Sequence, residues 1–340
     1  MKFLLLWILL SNSEAWAFPE MIGHGYQSCK ACHYDSSGGG PLNAYGRTIA
    51  EEILSTWSKK NEGETFYGYL DPRPFNFAGD FRYLFQRYED DNLRLTQRFA
   101  MQREMSLTFD PSKNVSFVGS AGLYGPDPKE YEYRRYYGKI TLGYGLGIRA
   151  GRFMPAYGVQ IADHTRATRI LFTQGSETLN LEVSWTHKYF EAFLTRIAGS
   201  NSGIVTSSKP VVAQRDDRNG YAGKLSLFLG KGMQIGGSYA SLTDDLTVIR
   251  NYVSYHAFFG NDKVWFYGEF QTWPAREYKI YGTLGFAPAR GVWLKTELNR
   301  DSESLEPEIF GTVQLFPRPH FEFLLSASKN QMLLISHYYL

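Results

Sequence analysis

Only two cysteines occur in the 340 residues, and they stand close together with a histidine immediately after the second: Cys29-Lys30-Ala31-Cys32-His33. Two thiols at this spacing can add to the two vinyl groups of one porphyrin, and the adjacent His33 then reaches the iron as its proximal ligand. The pair therefore predicts one covalent haem c, with Cys29 and Cys32 as its attachment points. A disulfide between the same two thiols is the competing reading. Zinc would need four ligands, and no second cysteine pair supplies them. A redox C-x-x-C normally opens a helix in a βαβ setting, and no such pattern surrounds this one.

Other residues near the motif are candidates for the same chemistry. His24 is the nearest sixth ligand for the iron, giving bis-His ligation, and Met21 is the alternative. Asn43 is placed to cap a helix from Ala44 to Trp57, with Ile49, Ile53, Leu54 and Trp57 on one stripe. Arg47, near the start of that helix, is a candidate contact for a haem propionate, set against an ordinary solvated arginine. No nucleophile triad, acid–base carboxylate pair or phosphate loop stands in a suitable local context. Asp216-Asp217 and Asp244-Asp245 read as solvated turn residues.

The elements that hold this motif follow from the rest of the chain. Residues 1–17 carry one lysine, an apolar run Phe3–Leu10 and an Ala15-Trp16-Ala17 ending, which is the pattern of a secretory signal peptide. Residues 18–60 form a small, mainly helical haem-bearing segment, too short to build a full core alone. Residues 61–76 read as a linker. The formal charge of +2 gives no reason to expect nucleic acid as a partner. The high aromatic content, Tyr 24, Phe 24 and Trp 7, with Gly 33, suits many short strands with aromatic girdles. The mean hydropathy of −0.33 excludes a helical membrane protein but not a barrel, in which half of each strand faces water.

From residue 77 to 340 the hydrophobic period is 2. Leu179-Asn180-Leu181-Glu182-Val183-Ser184-Trp185 alternates cleanly, as does Val292-Trp293-Leu294-Lys295-Thr296-Glu297-Leu298. Between Leu93 and Phe109 the alternation is broken at Gln97 and Arg103, which marks a site for a β-bulge. About sixteen strands can be placed. The expectation is an all-β fold: an antiparallel transmembrane β-barrel of about sixteen strands, preceded by the small helical monohaem segment. From the second strand onward every other connection is tight, and the two longest, 154–177 and 200–220, fall among the others. Short turns on one side and long loops on the other are the asymmetry of a bacterial outer-membrane barrel, with both chain ends on the periplasmic side. The loop carrying Asp163, His164, Arg166 and Arg169 reads either as a constriction folded into the lumen or as a solvated external loop.

Signal peptide, single C-x-x-C-H segment and barrel in one chain resemble the fused outer-membrane cytochrome–porins, which include the monohaem iron oxidases of iron-oxidising bacteria. At residue level the resemblance is carried by Cys29, Cys32 and His33. Gly25-Tyr26-Gln27-Ser28-Cys29, Gly38-Gly39-Gly40 and Tyr45-Gly46-Arg47 look like motifs of haem-bearing porin-like proteins. The resemblance implies electron transfer at the outer membrane, either as a metal (iron) oxidoreductase or as an electron carrier. The haem segment would lie in, or at the periplasmic mouth of, the barrel. The implied partners are outer-membrane lipid, an external redox donor or acceptor and a periplasmic c-type cytochrome. A passive porin with the haem segment as its plug, and a haem-based small-molecule sensor, are the alternatives.

Overall fold

Alternating side chains drive the chain from Phe75 onward into extended hairpins, because successive residues point to opposite faces and only one face can be kept from water. The computed structural model describes residues 19–38, 40–64, 67, 69, 73–90, 93–125, 131–159, 168, 177–199, 219–243, 249–273, 277–302 and 306–339. The expected signal peptide, most of the loop that contains Asp163, His164, Arg166 and Arg169, and nearly all of the 200–220 loop lie outside them.

Sixteen strands form one closed antiparallel barrel. They are β1 (Phe75–Asp90), β2 (Leu93–Ser112), β3 (Val115–Tyr124), β4 (Glu132–Thr141), β5 (Leu146–Phe153), β6 (Thr178–His187), β7 (Phe190–Ala198) and β8 (Asn219–Gly230). The circuit continues with β9 (Met233–Thr243), β10 (Ile249–Gly260), β11 (Val264–Trp273), β12 (Glu277–Ala289), β13 (Val292–Asp301), β14 (Glu308–Arg318), β15 (Phe321–Ala327) and β16 (Gln331–Tyr339). Each strand pairs with its sequence neighbours, and β1 pairs with β16 from Asp80↔Tyr339 to Tyr88↔Gln331, so the sheet has no free edge.

The expected bulge is present. The register of β1 against β2 shifts between Arg82 and Tyr83, where Arg82 faces Gln102 and Tyr83 faces Ala100, leaving Met101 as the extra residue. The tight turns also match expectation, and one of them shows why glycine is needed. Gly232 in the β8–β9 turn adopts φ +76°, and any side chain there would run into the Gly260 carbonyl of the next turn.

The two faces of the wall differ sharply. Leu181, Val183, Trp185, Leu194, Leu284, Leu294 and Ile309 lie exposed on the outside. Glu182, Ser184, Thr195, Thr283, Glu297 and Thr312 are buried on the inside. An apolar outer band around a polar interior is the inverse of a soluble barrel, and it suits lipid rather than water as the outer solvent. No helix among the described residues is long and apolar enough to cross a membrane.

The interior is filled by the chain that precedes the strands. Short 3₁₀ turns at Pro19–His24 and Cys29–Ala31 lead to the helix α1 (Ala44–Ile49), which widens into a π-helical turn at Ala50–Leu54. Asn43 caps α1 as expected, its side chain accepting from the Gly46 N–H at 2.9 Å. The helical run stops at Leu54 rather than Trp57, and Trp57 lies exposed instead of on the apolar stripe. The cause is tertiary: the N–H groups of Thr56 and Trp57 donate to the Phe316 and Pro317 carbonyls at 2.8 and 3.1 Å, so they leave the helix to pair with the wall.

Candidate functional site

The segment from Pro19 to Glu62 is anchored at the short-turn end of the barrel. Gln27 Nε2 donates to the Gly230 carbonyl at 2.7 Å, and Gly23 sits so close to Asn261 that a side chain there would strike its carbonyl. Thr56 Oγ1 donates to the Arg290 carbonyl at 3.0 Å, and Arg290 Nη1 returns a bond to Glu52 O at 3.1 Å. Arg318 Nε meets Glu62 Oε1 at 2.7 Å, and Tyr34 donates to Asp110 at 2.7 Å near the β2–β3 turn. A segment too small for its own core thus borrows the barrel's.

Two walls receive it. On one side Met21, Ile22, Cys32, Ile49 and Leu54 pack against an aromatic inner surface made by Phe258, Trp265, Tyr267, Tyr281, Trp293 and Phe316 of β10–β14. On the other side the contacts are ionic. Asp35 is fully buried and accepts from Arg149 Nη1 at 2.6 Å, from Ser37 N at 2.8 Å and from Ser37 Oγ at 2.7 Å. Its second oxygen stands 3.9 Å from Arg135 Nε. Arg149 continues to Glu182 at 3.1 Å and Arg135 to Glu104 at 2.8 Å. Burial alone would raise the Asp35 carboxyl, but Arg149 and Arg135 outweigh it and hold it below the usual carboxylate range.

The thiols lie between these walls. Cys29 and Cys32 are both free. Cys32 is buried in the aromatic cluster. Cys29 borders a void of about 30 Å³ shared with Ile22, Tyr157, Glu191, Lys224 and His256. Burial pushes the Cys29 thiol up to about 12, with Lys224 partly opposing, and pushes Cys32 up as well. Neither is a stabilised thiolate. His33 has its Nδ1 3.4 Å from the Gly40 carbonyl, and burial lowers its pKa to about 4, which keeps the ring neutral. With Nδ1–H donating to Gly40, Nε2 carries the free lone pair, and it has no hydrogen-bond partner among the described residues.

The remaining predicted residues are distributed as follows. His24 stacks on Tyr26 at 6.4 Å beside Asp262 and Lys231, close to the turns at the barrel's mouth. Met21 is buried in the aromatic cluster. Arg47 is buried, with Nη1 donating to the Leu42 carbonyl at 2.9 Å and to Asn76 Oδ1 at 2.8 Å.

Three residues were not singled out from sequence. Asp35 and Arg149 make the ionic seat. His256 on β10 lines the void beside Cys29, with Nε2 3.3 Å from Ser226 Oγ and Nδ1 without a hydrogen-bond partner among the described residues. Strand parity would place Arg149 and His256 inward, but nothing local shows what they meet.

The architecture is similar to solved outer-membrane porins. The chain matches OmpF of Salmonella typhi with a TM-score of 0.59 at 6% identity, covering 78% of this chain and 97% of that one. A mutant porin of Rh. blastica gives 0.59 at 10% identity, covering 78% and 100%. A loop-deleted OmpT of Vibrio cholerae gives 0.55 at 8% identity, covering 78% and 99%. No protein-family model and no curated protein matches the sequence. The chain is therefore a sixteen-stranded barrel of the porin type in fold.

Proposed function

We propose that this is a bacterial outer-membrane barrel whose N-terminal segment plugs the lumen and carries one covalent haem c. The observation that carries the plug is the double seating of residues 19–62, aromatic against β10–β14 and ionic through Asp35. An open porin needs a continuous water path, and this segment occupies its centre. The apolar outer band supports lipid as its surroundings.

The donor set is that of a covalent haem, whereas the void beside Cys29, about 30 Å³, is far smaller than a porphyrin, so the segment would have to be seated around the group rather than receive it afterwards. Two free thiols stand three positions apart beside apolar surface, Cys32 in the aromatic cluster and Cys29 across a void from Ile22. His33 is neutral, with Nδ1 held by a carbonyl, the arrangement that orients a histidine for iron. Cys29 and Cys32 would hold the group and His33 would ligate its iron. Once attached, haem supplies a one-electron couple. The chain's own part is to bury that couple between an aromatic and a charged wall, to orient the His33 ring and to exclude water around Cys32.

A second reading, electron transfer between an external donor or acceptor and a periplasmic c-type cytochrome, is favoured by the motif's position inside the lumen rather than on a detached domain. Iron is one candidate donor. Absorption spectra of the purified full chain, before and after pyridine treatment, test the haem: a c-type spectrum absent from C29S/C32S is expected. Conductance in planar bilayers tests the plug, and open-porin currents from the wild-type chain would exclude it. Reduction by Fe(II) followed by reoxidation with a soluble c-type cytochrome supports the second reading, and failure of both steps in the haem-loaded protein removes it.

A further inference from the structure

A second site borders the C-x-x-C-H turn. Cys32 and Ala31 pack against β10–β14, whereas Lys30 reaches toward β6, and Lys30 and Ala31 line a cavity of about 570 Å³ whose far wall is β4–β6. That is the size of an ordinary small-molecule pocket. It runs from the short-turn rim at Gly145 and Thr186 inward to Arg149 and Glu182.

The wall explains the cavity. Across β4, β5 and β6 the register sets Lys139 opposite Arg149, and Arg149 opposite Glu182. In the next inward layer Thr141 faces Gly147, which faces Ser184. Gly147 has no side chain, so this layer is hollow. A Cβ there would come within 3.0 Å of Ser184 Oγ and 3.8 Å of Lys30 Nζ.

The charges are unbalanced in one direction. Arg149 is satisfied by Asp35 and Glu182. Lys30 Nζ donates to the neutral Ser184 Oγ at 2.5 Å, lies 5.1 Å from the Phe193 ring centre and has no ion-pair partner within 4.0 Å among the described residues, although Glu182 and Glu191 act on it at longer range. Lys139 has no ion-pair partner within 4.0 Å among the described residues, although Asp35, Asp110 and Glu182 act on it at longer range. Like charges directly opposite across a strand pair, as Lys139 and Arg149 are, destabilise a sheet. An anion between the two lysines would remove that cost and gain charge-assisted hydrogen bonds.

We propose that this cavity binds a small anion through a carboxylate or phosphate group, held by Lys30 and Lys139, with Ser184 beside Lys30 and Arg149 closing the inner end. A ligand of this kind enters from the short-turn mouth and contacts both the plug and the wall. The site adjoins the C-x-x-C-H turn, so the haem content of each variant is read from its absorption spectrum alongside the binding.

The test is calorimetric titration of the full-length protein in detergent with citrate and with inorganic phosphate, and with glucose as the neutral control. Saturable binding of citrate or phosphate, and none of glucose, is expected. K30M and K139M should each weaken it about tenfold, the value of one charge-assisted contact, and K139R should retain it. Heat-modifiable electrophoretic mobility verifies that each variant is a folded barrel. The proposal is overturned if neither anion saturates the wild type, or if the folded K30M and K139M variants bind as the wild type does. Neither result bears on haem content, which the absorption spectrum reads separately.

Discussion

The inner wall of this barrel is built in two styles. From β10 to β14 the inward positions carry Phe258, Trp265, Tyr267, Tyr281, Trp293 and Phe316, and they pack on Met21, Ile22 and Cys32. From β2 to β6 the same inward parity carries Glu104, Arg135, Arg149 and Glu182, and they hold the single carboxylate Asp35. The aromatic half acts through area and is tolerant of small shifts. The charged half acts through geometry: it fixes register and fails abruptly when one member is removed, because the partners stay buried. One half supplies adhesion, and the other decides where the segment stops.

That contrast can be broken experimentally. Arg149→Met leaves Asp35 and Glu182 without their main counter-charge, and should weaken the seat of the segment by about 3–5 kcal/mol. Hydrogen exchange at residues 29–37 would rise steeply, and bilayer conductance would increase. Exchange as slow as in the wild type would show that the aromatic half suffices. Trp293→Ala removes a large side chain from the other wall and should cost about 3 kcal/mol, spread over the whole segment. Exchange would then rise around Met21, Ile22 and Leu54 before it rises at Asp35.

A pH dependence sharpens the comparison further. Burial lowers Lys30 to about 8 from an ordinary 10.5. Its charged form is therefore disfavoured in the seated state relative to the unfolded one. The penalty is fully present below about pH 8 and is relieved as pH rises toward 10. In anion-free buffer the segment should seat more firmly at pH 10 than at pH 7, and K30M should abolish that slope. A slope that persists in K30M would assign it to another group. The smallest effect is expected at Asn43→Ala, which removes the α1 cap and should cost about 1 kcal/mol. Exchange near Gly46 reads it, with no change in conductance.

The barrel was legible in the sequence because strand alternation is a local signal repeated many times. Even the bulge at Met101 announced itself through the broken pattern around Gln97 and Arg103. The C-x-x-C-H motif stood out by its spacing, but its surroundings did not. Asp35 meets Arg149 across 114 positions of chain, and no local pattern marks either as a partner of the other. Trp57 was misread for a related reason: its apolar spacing fits a helix, yet its backbone bonds to Pro317. The hollow layer at Gly147 was equally hidden, since a glycine in a strand reads as weakness until the lysine opposite it is known.

The anchoring of the segment to successive turns carries a consequence in time. Glu62 is gripped by Arg318 and by His320, which stand at the hairpin of the penultimate strand pair. The end of the N-terminal segment is thus tied to residues more than 250 positions further along the chain. Once that hairpin is in place, Cys32 is sealed behind Trp293 and Phe316. A group joined to Cys32 would therefore have to be attached before the β14–β15 hairpin closes over it, which ties any such chemistry to the unassembled barrel.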